Sequence, residues 1–248
     1  MEKSTAFEST ERAPKTLFRV ILMRHEEPFY KNEGHDLTDQ GVLNAIKSGE
    51  KMRDEQFFSD EYPIHLYHSP RARAEGTLDF VAQGAGINTE NKRAVQVINQ
   101  SKIVDNDVFM NRVKELEHNP EKIAEDHYKH EMHRNRPDII EPHEHKRERL
   151  FRAMEYLIRS ILKNLDRDKS SATQVFAVSH FEIITHLVDG VFGIENLDGY
   201  NSPSFGEQVK IIAYETEDSN KVLLDVSFRD LEKKVIFNRT KRLIEEIA

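Results

Sequence analysis

Arg24 and His25 directly follow the apolar run Leu17–Met23, which has the composition of a buried β-strand. In an open α/β sheet, ligands bind beyond the carboxyl ends of the strands, because the connecting loops leave the sheet there. A guanidinium group and an imidazole at such a point can face a bound anion. An isolated Arg-His pair at the start of an ordinary surface loop fits the same pattern, so the rest of the chain must decide between these interpretations.

Two further predicted strands end in side chains of the same chemistry. Ser69 and Arg73 follow the short apolar run 64–67, and His180 follows the run 173–178. Because the carboxyl ends of parallel strands meet at one edge of a sheet, we expect these side chains and the Arg-His pair to share one pocket. Two forked guanidinium groups, two imidazoles and helix N-termini would form a strong site for a tetrahedral dianion.

The segments between these strand ends predict the elements that position them. Leu37–Gly41 has the pattern of a helix start with Thr38 as the N-cap, and Ser69 followed by Pro70 predicts the N-cap of a second helix that continues to about Gln83. The remaining predicted elements are a strand at 94–98, long and short helices at 144–165 and 181–192, a hairpin of 209–214 and 221–226, and a terminal helix or strand at 231–247.

This order of elements predicts an α/β fold, a three-layer sandwich with a mostly parallel central sheet flanked by helices. We expect residues 1–15 to form a flexible tail and residues 16–248 to form a single domain. Residues 105–142 are rich in charge and histidine and have weak apolar periodicity, which predicts a charged helical insertion or cap over one end of the sheet.

The composition narrows the class of protein and its partners. A formal net charge of −8 over 248 residues argues against general nucleic-acid binding by a basic face. The absence of cysteine excludes disulfides and thiolate chemistry. Neither an apolar signal segment at residues 1–15 nor an uninterrupted apolar run of the about 20 residues that span a bilayer is present. We therefore expect a cytoplasmic protein without a nucleic-acid or membrane partner.

The motifs, taken in order, resemble those of the histidine phosphatase superfamily, which is also called phosphoglycerate mutase-like. The resemblance covers roughly residues 17–192, and His145 departs from it because the family has serine there. The motifs that carry it are Leu22-Met23-Arg24-His25-Glu26-Glu27, Leu37-Thr38-x-x-Gly41, Ser69-Pro70-Arg71-Ala72-Arg73-Ala74-Glu75-Gly76-Thr77, Val178-Ser179-His180, and Glu144 with Arg152.

The resemblance implies that His25 is a nucleophile that attacks phosphorus and becomes phosphohistidine. It also implies that Arg24, Arg73 and His180 bind the phosphoryl oxygens and offset the charge of the transition state. Ser69 would support this substrate-binding pocket. The substrate would be a phosphorylated small molecule or a phosphoprotein, and the reaction needs no cofactor or metal.

A general acid is needed to protonate a leaving alkoxide, and in this family it is usually a carboxylate after the third strand. Asp105 is the first candidate and Asp107 the second, because the segment Asp-Asn-Asp-x-Phe is similar to the family arrangement. A pair of solvated acids that cap a helix would have the same sequence pattern.

Two substitutions depart from the family pattern at the expected pocket. Glu26 and Phe181 stand where the family has glycine after each histidine. Glu26 could oppose phosphate binding unless its side chain points away, in which case its backbone N–H remains available. Phe181 would form an apolar wall over the pocket and favour a substrate with a hydrophobic or aromatic group.

The histidine-rich segment raises the question of a metal site. Spacings such as His130-x-x-His133 and His143-x-His145 could each supply two ligands. Because Glu, Lys and Arg are interleaved and cysteine is absent, we interpret the segment as a solvated helix surface. The histidines of this segment are His118, His127, His130, His133, His143 and His145.

The leading hypothesis is a phosphomonoester hydrolase that acts through phosphohistidine on His25. A cofactor-dependent phosphoglycerate mutase is the first alternative, but the chain lacks the longer loop and the segment after the third strand that such mutases carry. A second alternative is a catalytically impaired relative that binds phosphorylated ligands or protein partners. Glu26 and Phe181 motivate this last alternative.

Overall fold

Strand β1, Thr16–Arg24, lies in the middle of the sheet in the computed structural model of the chain. The structure describes residues 15–29, 34–58, 62–119, 122, 137–138, 140–168, 172–193 and 203–247. The other strands are β2 (Ile64–His68), β3 (Arg93–Ala94), β4 (Thr173–Ser179), β5 (Gln208–Glu215), β6 (Lys221–Phe228), β7 (Leu231–Asn238) and β8 (Leu243–Glu246).

The eight strands form one sheet in the order β3-β2-β4-β1-β5-β6-β7-β8. The pairs β3-β2, β2-β4 and β4-β1 are parallel. The pairs β1-β5, β5-β6, β6-β7 and β7-β8 are antiparallel. The α/β class is confirmed, but the prediction of a mostly parallel sheet is only partly met, because the strands after β5 follow one another through short turns that can join only antiparallel neighbours.

Within the described residues, five α-helices accompany the sheet: α1 (Asp39–Asp54), α2 (Ala72–Ala85), α3 (Asn106–Glu115), α4 (His143–Asp168) and α5 (Phe181–Phe192). The predicted N-cap of α1 is confirmed, since Thr38 Oγ1 accepts a hydrogen bond from the backbone N–H of Gly41 at 2.9 Å. The terminal segment left open between helix and strand forms β7 and β8.

Two local predictions were wrong. Helix α2 begins at Ala72 with Arg71 as its N-cap, and Ser69 lies two residues before this cap, where its hydroxyl contacts the imidazole of His180. The predicted strand 94–98 forms only the two-residue β3, and Gln96–Ile98 continues as a 3₁₀-helix. Its backbone therefore leaves the sheet one residue after Ala94.

Apolar clusters cover both faces of the sheet. On one face, Phe176 and Met23 pack against Leu78 and Val81 of α2. On the other face, α4 and α5 cover the strands with apolar side chains, among them Leu150 of α4. Burial on both faces explains why β1 and β4 are nearly continuous apolar runs, whereas β5 and β6 alternate buried and partly buried residues.

Helices α1 and α2 approach closely because each contributes a glycine to their contact. A Cβ atom at Gly49 would collide with the carbonyl oxygen of Val81, and a Cβ atom at Gly84 would collide with that of Ile46. These glycines allow backbone-to-backbone contact, and this contact fixes the position of α2, which carries Arg73.

Helix α3 lies within the predicted insertion, and none of its residues is buried. The predicted tail, except for Lys15, and the insertion residues 120, 121, 123–136 and 139 lie outside the described residues, so this division of the chain stays a prediction. None of the helices in the part of the chain that the structure describes is long and apolar enough to cross a membrane.

Candidate active site

The parallel pairing of β1 with β4 brings the two predicted histidines together. Arg24 lies opposite Ser179 in the sheet register, so His25 and His180 leave neighbouring strands side by side. The backbone N–H of His25 donates to the carbonyl of Ser179 at 2.9 Å. The two imidazole rings are 5.1 Å apart between centroids, at an interplanar angle of 68°.

A cavity of about 470 Å³ opens over these rings. Of the predicted site residues, the cavity wall contains both arginines, both histidines and Phe181, whereas Ser69 and Asp105 are not part of it. The described residues that line the cavity are Arg24, His25, Arg71, Arg73, Gln100, Ser101, Ile103, Phe109, Met110, Val113, His118, Ile140, His180, Phe181 and Glu182.

The tautomer of His25 follows from its hydrogen bonds. Its Nδ1 lies 2.8 Å from the carbonyl oxygen of Glu26, and because a carbonyl can only accept, Nδ1 carries the hydrogen. The Nε2 atom is therefore the unprotonated nitrogen. Arg73 Nε donates to this atom at 3.1 Å. An imidazole held in this way presents a lone pair at Nε2, which is the requirement for a nucleophile.

Arg73 is fixed at both ends of its side chain. Besides the bond to His25, its Nη2 donates to Gln100 Oε1 at 2.6 Å. Its backbone carbonyl accepts from Thr77 Oγ1 at 2.7 Å, and the same hydroxyl accepts from the backbone N–H of Glu26 at 3.0 Å. Thr77 thus joins the start of α2 to the loop after β1. The backbone N–H of Glu26, expected to remain available for phosphate, is used in this link.

Arg24 is held by the segment that leads into β5. Its Nη1 donates to the carbonyl of Pro203, and its backbone N–H donates to the carbonyl of Glu207 at 2.9 Å. Its guanidinium carbon lies 4.0 Å from the ring centroid of Phe205 and 5.3 Å from that of Phe181. Cation–π contacts with two rings keep the charge at the cavity while its side chain is only 7% exposed.

Ser69 orients His180 from behind the cavity. The Ser69 Oγ and His180 Nε2 atoms lie 2.7 Å apart, and both residues are buried. Whichever of the two groups donates the shared hydrogen, the bond fixes the rotation of the imidazole ring.

Burial and positive charge lower the pKa of both histidines. Desolvation is the first cause of the low pKa of His25, and the guanidinium groups of Arg73 and Arg24 add to it. Desolvation likewise lowers the pKa of His180, together with the charges of the neighbouring His25 and the arginines. Both rings are therefore neutral at neutral pH, and the net positive charge of the cavity comes from arginine.

The Glu26 carboxyl lies outside the cavity wall. It is buried against Gly206, whose φ is +73° and where a Cβ atom would collide with the carboxyl. Asn44 of α1 donates a hydrogen bond to it. Burial is the main cause that raises the pKa of Glu26 to about 7. This carboxylate therefore does not occupy the anion site.

The structure does not bring the predicted general acids to the cavity. Asp105 is exposed and caps α3, with its Oδ1 accepting from the backbone N–H groups of Asp107 and Val108 at 3.1 and 3.0 Å. Asp107 is exposed in the first turn of the same helix. Two polar residues that the sequence interpretation missed, Gln100 and Glu182, line the cavity instead.

A signal in the sequence could have found both missed residues. Gln100 lies between the third predicted strand and the segment 103–109 in which a carboxylate was expected, and Glu182 is two residues beyond His180 in the first turn of α5. The prediction of a general acid favoured carboxylates after the third strand, with Glu27 and Glu144 as less favoured candidates, and included neither the amide of Gln100 nor Glu182.

The histidine-rich segment contributes one residue to the described cavity wall, His118. His145 is exposed on α4, and His127, His130 and His133 lie outside the described residues, as does the side chain of His143. Within the described ranges, no group of three or more His, Asp or Glu side chains could hold a metal ion.

Comparison with known proteins identifies the family. The model of the histidine phosphatase superfamily (branch 1) matches residues 20–227, and the chain belongs to this superfamily. A comparison with curated protein sequences gives no match.

Solved structures share the fold at low sequence identity. A phosphoglycerate mutase from Bacillus anthracis str. Sterne has a TM-score of 0.56 and 15% identity over 80% of this chain and 88% of its own. A mycobacterial glucosyl-3-phosphoglycerate phosphatase has a TM-score of 0.57 and 14% identity over 85% of this chain and 97% of its own. The protein called mycobacterial hydrolase 2 has a TM-score of 0.58 and 15% identity over 85% of this chain and 89% of its own. At this level of sequence identity, the similarity supports only the fold. The reaction must be inferred from the side chains of the site.

Proposed function

We propose that the protein is a phosphomonoester hydrolase that acts through a phosphohistidine on His25, with water as the final acceptor. One observation carries the proposal: the unprotonated Nε2 of His25 contacts the guanidinium group of Arg73 in a cavity that Arg24 and His180 also line. A neutral imidazole beside two fixed cations combines a nucleophile with a site for the group that it attacks.

In the first step, the phosphoryl dianion binds between the two guanidinium groups, and Arg73 turns from His25 to a phosphoryl oxygen. The Nε2 lone pair of His25 then forms a bond to phosphorus. The bond from phosphorus to the ester oxygen breaks, and its electron pair leaves with that oxygen. The carbonyl of Glu26 stabilises the positive charge that the ring gains, since it accepts the Nδ1 hydrogen throughout.

In the second step, a water oxygen attacks phosphorus from the position that the leaving group vacated. The P–N bond breaks, its electron pair returns to Nε2, and the proton of the water passes to solvent or to the released phosphate. Arg24 and Arg73 offset the charge on the phosphoryl oxygens in both transition states. A cytoplasmic location and a phosphorylated small molecule or phosphoprotein as substrate are part of this proposal.

The direct test is to trap the intermediate. We expect rapid acid-free quenching during turnover of para-nitrophenyl phosphate to yield a phosphorylated protein whose modified peptide contains His25. The His25→Asn variant should give neither turnover nor phosphoprotein, while His145→Asn, a matched change at an exposed histidine of α4, should retain both. Turnover should also be unaffected by EDTA.

Two outcomes would contradict the proposal. Interconversion of phosphoglycerates that bisphosphoglycerate stimulates, with little release of inorganic phosphate, would identify a mutase. Binding of inorganic phosphate without turnover of any ester would identify the catalytically impaired relative.

A further inference from the structure

Glu26 connects the two sides of the phosphoryl site. Its backbone carbonyl accepts the Nδ1 hydrogen of His25 at 2.8 Å and so holds the nucleophile, and its carboxyl group packs against Gly206. Gly206 belongs to the segment before β5, residues 203–207, which holds Arg24 through two hydrogen bonds and a ring contact. The nucleophile and a cation that binds the phosphoryl group therefore both depend on this one residue.

The Glu26 carboxyl and the Arg24 guanidinium group pack against consecutive residues of the segment before β5. A Cβ atom at Gly206 would collide with Glu26 Oε1, so the carboxyl occupies the space that this glycine leaves. The ring of Phe205 lies 4.0 Å from the guanidinium carbon of Arg24. Because the two contacts are one residue apart, a shift of the segment that admits water to the carboxyl also changes the support of the guanidinium group.

Two charged groups adjacent in sequence act on the Glu26 carboxyl in opposite directions. The guanidinium group of Arg24 favours the ionised form of Glu26, and the carboxylate of Glu27 opposes it. In the segment before β5, the acid Glu207 is paired with Arg229, whose Nε lies 2.6 Å from Glu207 Oε1. The ionisation of Glu26 is therefore coupled to the positive charge that Arg24 offers to an anion.

Helices α1 and α2 bring polar groups without charge to Glu26. Asn44 of α1 donates a hydrogen bond that favours the carboxylate. Thr77 Oγ1 of α2 accepts a hydrogen bond from the backbone N–H of Glu26 at 3.0 Å. Burial outweighs the groups that favour the carboxylate and raises the pKa of Glu26 to about 7, so both forms of the carboxyl are populated near neutral pH.

We propose that Glu26 is a positioning residue that makes anion binding at the active site depend on pH through Arg24; this inference rests on the phosphoryl site of the proposed function. The neutral carboxyl packs against Gly206 and leaves the charge of Arg24 to the phosphoryl group. The ionised carboxyl is unfavourable in its buried position, and its charge competes with the phosphoryl group for the guanidinium group. Because a bound dianion favours the neutral form, a carboxylate oxygen of Glu26 takes up a proton from solvent when the anion binds.

The test uses sulfate as the probe, since it remains a dianion near neutral pH, whereas a phosphate ester changes its charge at about pH 6. Calorimetric titration in buffers of different ionisation enthalpy gives both the Kd and the number of protons taken up on binding. Because couplings between sites typically amount to about 5- to 150-fold, we expect the Kd of the wild type to rise about fivefold or more between pH 6 and pH 8.5. Glu26→Gln, which is neutral at every pH, should lose this rise and take up fewer protons at pH 8 than the wild type.

Two further variants separate this role from a merely structural one. Glu27→Gln is the matched control, because it removes an exposed acid one residue away, and it should retain the pH dependence. Asn44→Ala should move the pH dependence to higher pH, because the carboxylate of Glu26 loses a hydrogen bond that favours it. A structural role of Glu26 alone would not produce this displacement of the profile.

The possible outcomes distinguish this inference from the proposed function. Equal pH profiles and equal proton uptake in the wild type and Glu26→Gln would overturn the inference and leave the hydrolase standing. Absence of sulfate binding by the wild type at pH 6 would overturn the inference as well, whatever the turnover. The expected profiles without any phosphohistidine during incubation with para-nitrophenyl phosphate would overturn the hydrolase and leave this inference standing.

Discussion

The Glu26→Gln substitution should stabilise the protein at alkaline pH and leave its stability at acidic pH nearly unchanged. The Glu26 carboxyl is 2% exposed, and burial raises its pKa from 4.5 to about 7. Between these two values the folded protein binds a proton that the unfolded chain releases. The free energy of unfolding of the wild type therefore receives a contribution from Glu26 that is present below pH 4.5 and is lost as the pH rises through 7.

The magnitude follows from the shift. Because one pKa unit corresponds to about 1.4 kcal/mol, a rise from 4.5 to about 7 amounts to about 3 kcal/mol at pH 8. Glutamine has nearly the same shape, does not ionise, and retains a carbonyl oxygen that can accept from Asn44. We expect the variant to unfold with a free energy about 2–3 kcal/mol above the wild type at pH 8, and within about 1 kcal/mol of it at pH 5.

Urea-induced unfolding between pH 5 and pH 8 measures this difference. The titrations of His25 and His180 occur in both proteins and cancel in the comparison. Glu50→Gln, at an exposed position of α1, controls for the loss of one negative charge. A difference between Glu26→Gln and wild type that stays constant with pH, or that shifts in favour of the wild type as the pH rises, would refute the argument.

Three further substitutions test other parts of the structure. Burial lowers the pKa of Lys146 from 10.5 to about 8, so Lys146→Met should raise the free energy of unfolding at pH 7 by about 1–3 kcal/mol. Urea unfolding at increasing pH should show this advantage falling nearly to zero by pH 10.5, because the amine of the wild type loses its charge. Gly84→Ala should lower the free energy of unfolding, measured by thermal denaturation, by about 3 kcal/mol, because the new methyl group would collide with the carbonyl oxygen of Ile46. Ser69→Ala should lower kcat/KM roughly tenfold in steady-state assays, since His180 loses the hydrogen bond that orients its ring.

The sequence allowed prediction of the parallel half of the fold and of the cationic site, because these depend on local signals. Apolar runs identify β1 and β4, and the polar residues that end them are adjacent in sequence to the strands. Once two such strands are parallel neighbours, His25 and His180 must lie side by side. No contact between distant side chains had to be known in advance.

Two other residues were harder to interpret from the sequence, because each residue type is compatible with two roles. Serine is a common N-cap residue, but Ser69 forms its hydrogen bond with His180, which is 111 positions away. This long-range contact decides the role of Ser69. Asp105 looked like a general acid, yet it caps the helix that follows it, which is the more common use of an aspartate at that position. Tertiary packing selects the role of Ser69, whereas the role of Asp105 is set by local hydrogen bonds to the backbone N–H groups of Asp107 and Val108.

The antiparallel half of the sheet has a part in the site that the sequence motifs do not suggest. Strand β5 pairs with β1 on the side opposite β4, so the segment that enters β5 passes beside the end of β1. From this segment, Phe205 lies over Arg24 and 5.7 Å from the His25 ring, while Pro203 accepts a hydrogen bond from the same arginine. The motifs supply the arginines and histidines of the cavity, but the segment before β5 holds Arg24 in position. The segment before β5 therefore constrains Arg24, because its carbonyl groups accept hydrogen bonds from both the guanidinium group and the backbone N–H of this residue.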